Sequence, residues 1–387
     1  MKFVIAPDSF KNCLSAQEVA TAVRDGLARI FPEAEYTLVP MADGGEGTVQ
    51  SLVDATNGHL IHRNITGPLG TPVDAYYGIL GDGTTAVIEM AQASGFQYVP
   101  AEQRNPLVTT TYGTGELILD ALDHQVKKII LGIGGSATND GGAGMAQAIG
   151  VRLLDAAGNE FPGGGGALNN LRHIDMSHVD PRIATTEILV ASDVAVPLVG
   201  PKGASAVFGP QKGATPEMVK LLDANLKHYA EVIKQDLDKD VADIPGSGAA
   251  GGLGAGLMAF TKAKMCKGID LVVQFSHLKQ KAQDADFVFT GEGSVDEQTQ
   301  YGKTPYGVAK ATKEVAPNAP VIVLAGRIGG DVSDLYAKDG VDAIFSAAID
   351  NKPFDIAMKE SKHDIALSAE NIARLLKSIY QDKHINK

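Results

Sequence analysis

The chain has 387 residues, of which 44% are hydrophobic and 21% are charged, so it can build a packed core and is not disordered as a whole. Its length exceeds the size at which a single core usually stops growing, and two domains are therefore expected. The formal net charge is -12 and the Lys and Arg residues are scattered, which argues against a nucleic-acid surface or a basic membrane patch.

Cysteine usage and the apolar stretches indicate where the protein works. Cys13 and Cys266 stand far apart without the spacing of a zinc site, and no disulfide framework is expected, so a reducing cytoplasm suits the chain. The apolar run at the N-terminus is too short for a signal peptide. Residues 246–260 are fewer than the roughly 20 that a spanning helix needs. We expect them to form a loop that leads into a tightly packed helix.

The first part of the chain alternates strands and helices. Residues 3–6 form a short apolar run, and Ser15 with Glu18 forms a capping box at the start of a helix. A second strand and a second helix follow at 36–39 and 48–55. This order is typical of a parallel sheet with helices packed against it.

The middle of the chain follows another pattern, with hairpin-like strands and runs of glycine. Its predicted strands lie at 75–80, 86–90, 128–131, 151–154 and 187–191. The alternating order returns near the C-terminus, with strands at 286–290, 321–324 and 343–345 and an amphipathic helix near 364–380. Five strands then suffice for one flavodoxin-like sheet.

These two patterns predict an α/β protein with two domains. Residues 71–284 are expected to form a second α/β domain that is inserted into the first. The first domain is therefore discontinuous and consists of residues 1–70 and 285–387. In such sheets, ligands bind at the carboxyl ends of the strands, where the polar loops of this sequence also lie.

The first of these loops, residues 7–12, places Asp8, Ser9 and Lys11 between a strand and a helix. Lys11 can neutralise a phosphate or a carboxylate, and Asp8 can bind a metal or hold Lys11 in place. An ordinary capped turn is the alternative. In the second loop, Asp43 and Glu46 stand among three glycines, which let a backbone approach a ligand closely. Metal ligation and hydrogen bonds to substrate hydroxyls are both compatible with that loop.

The third loop, residues 132–144, offers many backbone N–H groups after an apolar strand and is typical of an anion-binding nest. Residues 132–137 also match the dinucleotide fingerprint, with Asp155 about 20 residues further on, so an NAD-dependent dehydrogenase is an alternative. Two features oppose it. The helix begins late in the loop, and Asp155 falls in an apparent hairpin at 151–161.

Three further segments contribute candidates. Asp193 follows a strand and suits a base or a metal ligand, and Lys212 lies in a constrained turn, although both can equally be solvated surface residues. The glycine run at 246–256 is either a packing device or a nucleotide contact.

The loop at 290–305 ends in Gly-Lys-Thr like a P-loop. Glu297, however, stands where the first glycine of a Walker A motif belongs. Glu292 and Asp296, which lie near Lys303 in this loop, suit a metal–phosphate complex.

Seven segments together resemble the glycerate kinase type I family over essentially the whole chain: APDSFKNCLSA, PMADGGEGT, GIGGSATNDGGAGMA, ASDV, FGPQKGA, GSGAAGGLGAG and TGEGSVDEQTQYGKTP. The resemblance implies ATP-dependent phosphorylation of D-glycerate, to 2-phosphoglycerate or 3-phosphoglycerate, in glyoxylate or sugar-acid catabolism. It also implies a flavodoxin-like domain combined with a restriction-enzyme-like α/β domain, with the active site in the cleft between them.

With ATP and Mg²⁺ as the expected cofactors, each candidate receives a hypothetical role. The catalytic set is Asp193, Asp296 and Lys11, in which one of the two aspartates is the base and the other helps to hold the metal. The substrate-binding set is Asp8, Ser9, Asp43, Glu46, Lys212 and Arg327. The nucleotide-binding set is Gly134, Gly135, Ser136, Gly251, Gly252, Lys303 and Thr304, and the metal ligands are Glu292 and Asp296.

The expected partners are glycerate and ATP, with no nucleic acid and no membrane, and the protein is expected to be a monomer or a homodimer. A non-catalytic sensor of sugar acids or nucleotides is the remaining alternative. The sequence shows no appended DNA-binding module through which such a sensor would act.

Overall fold

A computed structural model describes residues 1–336 and 340–385. The chain is a mixed α/β protein whose residues group into two compact units. Unit 1 consists of Met1–Asp43, Gln50–Asn57 and Ile269–Lys387, and unit 2 consists of Gly44–Val49 and Gly58–Gly268. Within the described ranges, no helix is both long enough and apolar enough to cross a membrane.

The strands are β1 (Lys2–Ile5), β2 (Glu35–Leu38), β3 (His59–Thr66), β4 (Pro72–Ile79), β5 (Thr85–Glu89), β6 (Lys128–Gly132), β7 (Arg152–Leu154), β8 (His173–Asp175), β9 (Glu187–Ala191), β10 (Lys264–Cys266), β11 (Phe287–Val295), β12 (Val321–Ile328) and β13 (Ala343–Ser346). The α-helices are α1 (Ala16–Ala28), α2 (Thr48–Thr56), α3 (Ala91–Ser94), α4 (Tyr112–Asp123), α5 (Ala143–Ala148), α6 (Ala204–Phe208), α7 (Pro216–Leu237), α8 (Ala249–Phe260), α9 (Gly268–Phe275), α10 (Leu278–Ala282), α11 (Thr304–Val315) and α12 (Phe354–Ile385).

Unit 1 contains a five-stranded parallel sheet with the order β13-β12-β11-β1-β2. Its central strands are apolar on both faces, as expected for a parallel sheet that helices cover. Phe3 of β1 stacks on Phe287 of β11, with ring centroids 5.5 Å apart. The same core includes apolar side chains of α1 and α12. This sheet therefore aligns the carboxyl ends of β1 and β11 side by side.

Helix α1 begins as the sequence predicts. The Ser15 hydroxyl accepts a hydrogen bond from the Glu18 N–H, and the Glu18 carboxylate accepts one from the Ser15 N–H, which together form a capping box. Gly26 lets α1 approach α12 closely, because a Cβ atom at this position would lie 2.1 Å from the carbonyl oxygen of Ala366. Helices α1 and α12 therefore pack closely against each other.

Unit 2 contains a six-stranded sheet with the order β10-β9-β6-β5-β4-β3. Its first four strands are parallel, and β4 and β3 continue the sheet in antiparallel fashion. Strand β3 was not predicted from the sequence. It pairs with β4 along its whole length, so residues 58–70 belong to unit 2 rather than to the first domain, and 44–49 join them. Residues 269–284, predicted as part of the insert, belong to unit 1.

Three local predictions meet different outcomes. Residues 246–260 form a loop that leads into the packed helix α8, as predicted. The turn at Asp155 is present, with the Asp155 N–H donating to the Asn159 carbonyl, but the longer partner of β7 is β8. The prediction of a loop from residue 290 onwards is wrong for its first part. Strand β11 continues to Val295, because β12 pairs with it up to that residue.

Candidate functional site

The structure brings several predicted residues of unit 1 together at the carboxyl ends of β1 and β11. Asp8 follows β1, Glu292 lies in the last part of β11, and Thr304 begins α11. The Thr304 hydroxyl donates a hydrogen bond of 2.6 Å to the carboxylate of Asp8. Residues from both ends of the sequence therefore meet in one group, which we call the acidic cluster: Asp8, Asp43, Glu292, Asp296 and Lys303.

Asp8 is a half-buried member of this cluster. Its other carboxylate oxygen accepts the backbone N–H of Ser9 at 2.6 Å. Burial raises the pKa of Asp8 to about 6, and the charge of Asp43 acts in the same direction, although the hydrogen bonds from Thr304 and Ser9 oppose both effects. A charged Asp8 is thus costly unless a cation comes near it.

Glu292 shows the same conflict between burial and charge. Burial raises the pKa of Glu292 to about 7, while the ammonium group of Lys303 and a hydrogen bond from Thr299 lower it. Asp8 and Asp43 repel its negative charge. The Thr299 hydroxyl lies 2.9 Å from Glu292, and the Lys303 nitrogen lies at 4.0 Å.

Lys303 is the cation that the structure places among these acids. Its nitrogen lies 3.4 Å from Asp296, and the same Asp296 oxygen accepts the backbone N–H of Gln298 at 2.9 Å. Lys11 and Arg327 are exposed in unit 1, Lys11 in the turn after β1 and Arg327 near the end of β12. The predicted association of Glu292, Asp296 and Lys303 is thus present.

In unit 2, the glycine loop (residues 132–144) connects β6 to α5 and surrounds a buried lysine. Lys212 is 2% exposed, and its ammonium group donates to the Thr138 carbonyl at 2.5 Å and to the Ser136 hydroxyl at 3.2 Å. Burial lowers the pKa of Lys212 to about 7, although the charge of Asp140 opposes the shift. Ser136 was predicted to bind the nucleotide and Lys212 to bind the substrate, and a hydrogen bond joins these two side chains.

Asp140 anchors the second half of the glycine loop. It is fully buried, and its carboxylate accepts hydrogen bonds from the backbone and the hydroxyl of Thr111, both at 2.8 Å. The N–H groups of Gly142 and Gly144 donate to it at 3.1 and 3.2 Å. Burial raises the pKa of Asp140, and these four hydrogen bonds counter the increase.

The glycines at the start of α8 pack directly against the glycine loop. Gly251 has a φ of +69°, and a Cβ atom there would lie 2.0 Å from the Thr138 carbonyl oxygen, so no other residue fits. Gly252 similarly approaches Gly141. The Ser136 hydroxyl lies 3.3 Å from the Ala250 carbonyl. These contacts give Gly251 and Gly252 a packing role, and their contact with a nucleotide stays a prediction.

Two further candidates lie in unit 2 outside the glycine loop. Asp193 is exposed just beyond the carboxyl end of β9. Glu46 is exposed in the second loop, where its charge interacts with that of Glu89. Glu89 is 5% exposed at the end of β5 and accepts the backbone N–H of Val49 at 2.9 Å, together with hydrogen bonds from the backbone of Gly47 and Thr48.

Sequence reasoning missed Asp140, Glu89 and Thr299. An acid at the end of an otherwise apolar strand is a usable signal for Glu89, because a buried carboxylate requires partners. For Asp140 the signal is weaker. Its partner Thr111 lies 29 residues away in a segment without a recognisable motif.

The dinucleotide alternative loses its structural basis. Helix α5 begins only at Ala143, after the glycines, whereas the fingerprint requires a helix that begins within them. Asp155 lies in an exposed turn and accepts hydrogen bonds from Ala157 and Asn159, so it does not end a second parallel strand.

Comparison with known proteins agrees with the architecture of both units. Residues 3–377 match the profile of the Glycerate kinase family. A glycerate kinase from Halalkalibacterium halodurans is 55% identical over 96% of this chain and 97% of its own, and the glycerate 2-kinase of Escherichia coli K12 is 53% identical over 97% and 98%.

A solved structure from Salmonella typhimurium LT2, provisionally named glycerate kinase 2, superposes with a TM-score of 0.91 at 52% identity and covers 98% of this chain and 99% of that one. Matches of 52–55% identity over nearly the full length of both chains show the family to which this chain belongs. The chain belongs to the glycerate kinase family of enzymes.

Proposed function

We propose that the protein transfers the γ-phosphoryl group of ATP to the 2-hydroxyl of D-glycerate and releases ADP and 2-phosphoglycerate. The observation that carries this proposal is the acidic cluster, in which half-buried carboxylates and the Lys303 ammonium group lie at the carboxyl ends of parallel strands. Phosphoryl transfer depends on such positioned charges rather than on covalent chemistry. The name of the 53% identical relative from Escherichia coli supports the choice of the 2-hydroxyl.

The reaction assigns separate roles to the polar groups. The glycerate hydroxyl oxygen attacks the γ-phosphorus, the bond from that phosphorus to the bridging oxygen of ATP breaks, and ADP leaves. The hydroxyl proton goes to a carboxylate, for which we propose Asp193. Asp296 is less suitable because one of its oxygens already accepts from Gln298 and Lys303. Lys11, Lys303 and Arg327 neutralise phosphate or carboxylate oxygens.

The glycine loop is proposed to hold the phosphates of ATP. Its residues Gly134, Gly135 and Ser136 follow the carboxyl end of β6, and backbone N–H groups in such loops bind anions. Lys303 and Thr304 are proposed to contact the nucleotide from the start of α11. An anion is favoured there by the free N–H groups of the first helical turn. Asp8, Ser9, Asp43 and Glu46 stay predicted substrate-binding residues. Lys212 was also predicted to bind the substrate, but its ammonium group is buried and donates to Ser136 and Thr138, which favours a role in holding the glycine loop.

Mg²⁺ is proposed as the metal of the reaction, and the residues present fit it. Among residues 1–336 and 340–385, no three His, Cys, Asp or Glu side chains are arranged as a metal cage. Mg²⁺ does not need one, because it usually takes one or two carboxylates and completes its shell with phosphate oxygens and water. Glu292 and Asp296 supply hard oxygen donors, and burial of negative charge at Glu292 favours a cation. Bound Mg²⁺ would neutralise charge on the transferred phosphoryl group.

Further assignments remain proposals. The strands of unit 1, counted along that unit, have the order 2-1-3-4-5, which supports a flavodoxin-like fold. A restriction-enzyme-like fold for unit 2, a cytoplasmic location, a monomer or homodimer, and the absence of nucleic-acid and membrane partners stay predictions from the sequence.

A coupled assay of ADP release tests the proposed function. Purified protein with ATP and Mg²⁺ is expected to release ADP only when D-glycerate is added, and less efficiently with L-glycerate, lactate or glycolate. ATP hydrolysis that is independent of any hydroxy acid would overturn the proposal. A change in nicotinamide absorbance with NAD and a hydroxy acid would instead favour a dehydrogenase.

A further inference from the structure

Two buried side chains of opposite charge hold the glycine loop in unit 2, Asp140 from within the loop and Lys212 from the turn before α7. Asp140 is 0% exposed and Lys212 is 2% exposed. A buried charge is costly unless an opposite charge and hydrogen bonds compensate it. In this structure each of the two side chains has hydrogen bonds of its own, and the charge of Asp140 favours the charged form of Lys212.

Asp140 fixes the second half of the loop to the start of α4. Its carboxylate takes four donors, two from Thr111 and one each from Gly142 and Gly144. The Thr111 hydroxyl in turn accepts the N–H of Met145 at 2.9 Å, in the first turn of α5. The place where the loop enters α5 is therefore set by one carboxylate.

Lys212 fixes the first half of the loop. It lies in the short turn before α7, and its ammonium group contacts Thr138 and Ser136 at the middle of the loop. The backbone of Gly251 also packs directly against the Thr138 carbonyl. The loop backbone is thus held between a cation, a carboxylate and the glycines of α8, which leaves little freedom for rearrangement.

We propose that Asp140 and Lys212 are paired positioning residues that hold the glycine loop in the conformation that binds the phosphates of ATP. This inference rests on the proposed function of the loop as the nucleotide site. Both residues act through the loop backbone. Lys212 is too buried to be a surface anchor, and the oxygens of Asp140 are engaged by the protein itself.

A functional pair and two independent packing residues predict different outcomes when both residues are replaced. Removing either charge leaves the other one buried without its oppositely charged neighbour, whereas removing both leaves no buried charge at this place. The effect of Asp140→Asn combined with Lys212→Met should therefore be smaller than the product of the two single effects. Two unrelated structural defects would multiply instead.

The charge of Lys212 also responds to its neighbours. Asp140 acts on it from the glycine loop and favours the ammonium form, and Tyr229 of α7 interacts with Asp140 as a neutral phenol. When Asp140 becomes Asn, the pKa of Lys212 should fall, so a larger fraction of the enzyme has a neutral lysine at neutral pH. The Arg in Lys212→Arg stays charged throughout.

The test is steady-state kinetics and ATP binding by calorimetry, with ATP and D-glycerate as the probes. The proteins are the wild type, Lys212→Arg, Lys212→Met, Asp140→Asn, the double variant, and Lys220→Met as an exposed control on α7. We expect Lys212→Met and Asp140→Asn each to raise KM for ATP at least about 10-fold, with KM for glycerate within about 2-fold of the wild type. Lys220→Met should match the wild type.

Three further readouts separate positioning from simple loss of structure. KM for ATP should rise with pH as Lys212 loses its proton, and this rise should start at a lower pH in Asp140→Asn than in the wild type. Lys212→Arg should show no such rise, and it should bind ATP more tightly than Lys212→Met does. The double variant should lose less than the product of the single losses. If a single variant does not fold by circular dichroism, recovery of fold and ATP binding in the double variant still supports the pairing.

Several results would overturn the inference. Unchanged KM for ATP in the single variants, equal increases of both KM values, or multiplicative losses in the double variant would each contradict it. If the wild type itself neither binds ATP nor phosphorylates glycerate, the proposed function fails. If the wild type is active and the variants behave like Lys220→Met, only the positioning role fails.

Discussion

The ammonium group of Lys212 is the most heavily buried of the candidate cations, and burial gives it an unusual titration. In the folded chain its pKa is lowered to about 7 from the ordinary 10.5. Between these two values the unfolded chain binds a proton that the folded chain does not. Folding is therefore favoured more strongly as the pH rises through this window, and this contribution is constant below the lower value.

Lys212→Met should remove that dependence. Between pH 7 and pH 10, the free energy of unfolding of the wild type should rise relative to the variant by at most about 1.4 kcal/mol per pH unit. Urea denaturation of both proteins at several pH values measures the difference, and Lys220→Met controls for loss of an exposed lysine. A constant difference across this range would show that Lys212 keeps its ordinary pKa.

The two candidate bases, Asp193 and Asp296, differ in their surroundings. Asp193 is exposed beyond β9, whereas Asp296 caps a short turn through Gln298 and lies beside Lys303. We expect Asp193→Asn to lower kcat by about 10²–10⁴ with a modest change in KM, because the amide cannot accept the hydroxyl proton. Asp296→Asn should mainly raise the Mg²⁺ concentration that gives half-maximal rate.

Initial rates at saturating and limiting Mg²⁺ separate these two outcomes. If Asp193→Asn keeps nearly normal kcat while Asp296→Asn loses it, the roles are reversed. If both variants keep nearly normal kcat and a native circular dichroism spectrum, neither residue is the base.

Helix α2 is held at its N-terminus by a side chain from a strand. Glu89, at the end of β5, accepts hydrogen bonds from the backbone of Gly47, Thr48 and Val49, which are N–H groups that a helix start leaves without partners. A carboxylate at this end is also favoured by the helix dipole. Glu89 thereby fixes the loop that carries Glu46, a predicted substrate-binding residue.

Glu89→Gln should therefore weaken both stability and substrate binding. The amide nitrogen would face backbone N–H donors, and we expect the free energy of unfolding to fall by about 1–3 kcal/mol. KM for glycerate should rise more than KM for ATP. Thermal unfolding and initial rates measure these effects, and Glu102→Gln, an exposed glutamate, is the control. A variant as stable as the control would contradict the role of Glu89.

Helices and strands that have a strong pattern in their own sequence were predicted near their true ends. Strand β3 was missed because it forms through pairing with another strand. The capping box of Ser15 and Glu18 and the apolar runs of β5, β6 and β9 are local features, so helix and strands were found near their true ends. Strand β3 mixes polar and apolar residues, and half of its residues are exposed. Its strand character comes from pairing with β4, which no local pattern reveals.

The candidate residues also divide into those that the local sequence identifies and those whose role arises only from tertiary contacts. Glycines and charges in loops and turns identified Asp8, Glu292, Lys303, Ser136 and Lys212, which the structure places in two groups, one in each unit. Burial was not predictable for Lys212, because a lysine in a polar turn is normally exposed. The role of Asp140 depends on Thr111, whose contact with the glycine loop arises only from the packing of α4 against α5.

Across the whole chain, the family assignment and the chemistry of the two groups converge on phosphoryl transfer to an organic acid. The family profile spans residues 3–377, so its similarity includes both the acidic cluster and the glycine loop. Because the formal net charge is -12, anionic substrates require locally placed cations, for which we propose Lys11, Lys303 and Arg327. Higher ionic strength should accordingly raise KM for both substrates.

The most direct test of the account is phosphorus NMR of the product formed from ATP and D-glycerate. A phosphate on the 2-hydroxyl couples to the single proton of C2 and gives a doublet, whereas one on the 3-hydroxyl couples to two protons and gives a triplet. We predict a new doublet that grows together with the signals of ADP. A triplet would contradict transfer to the 2-hydroxyl, and the absence of any new ester signal while ATP is unchanged would contradict glycerate kinase activity itself.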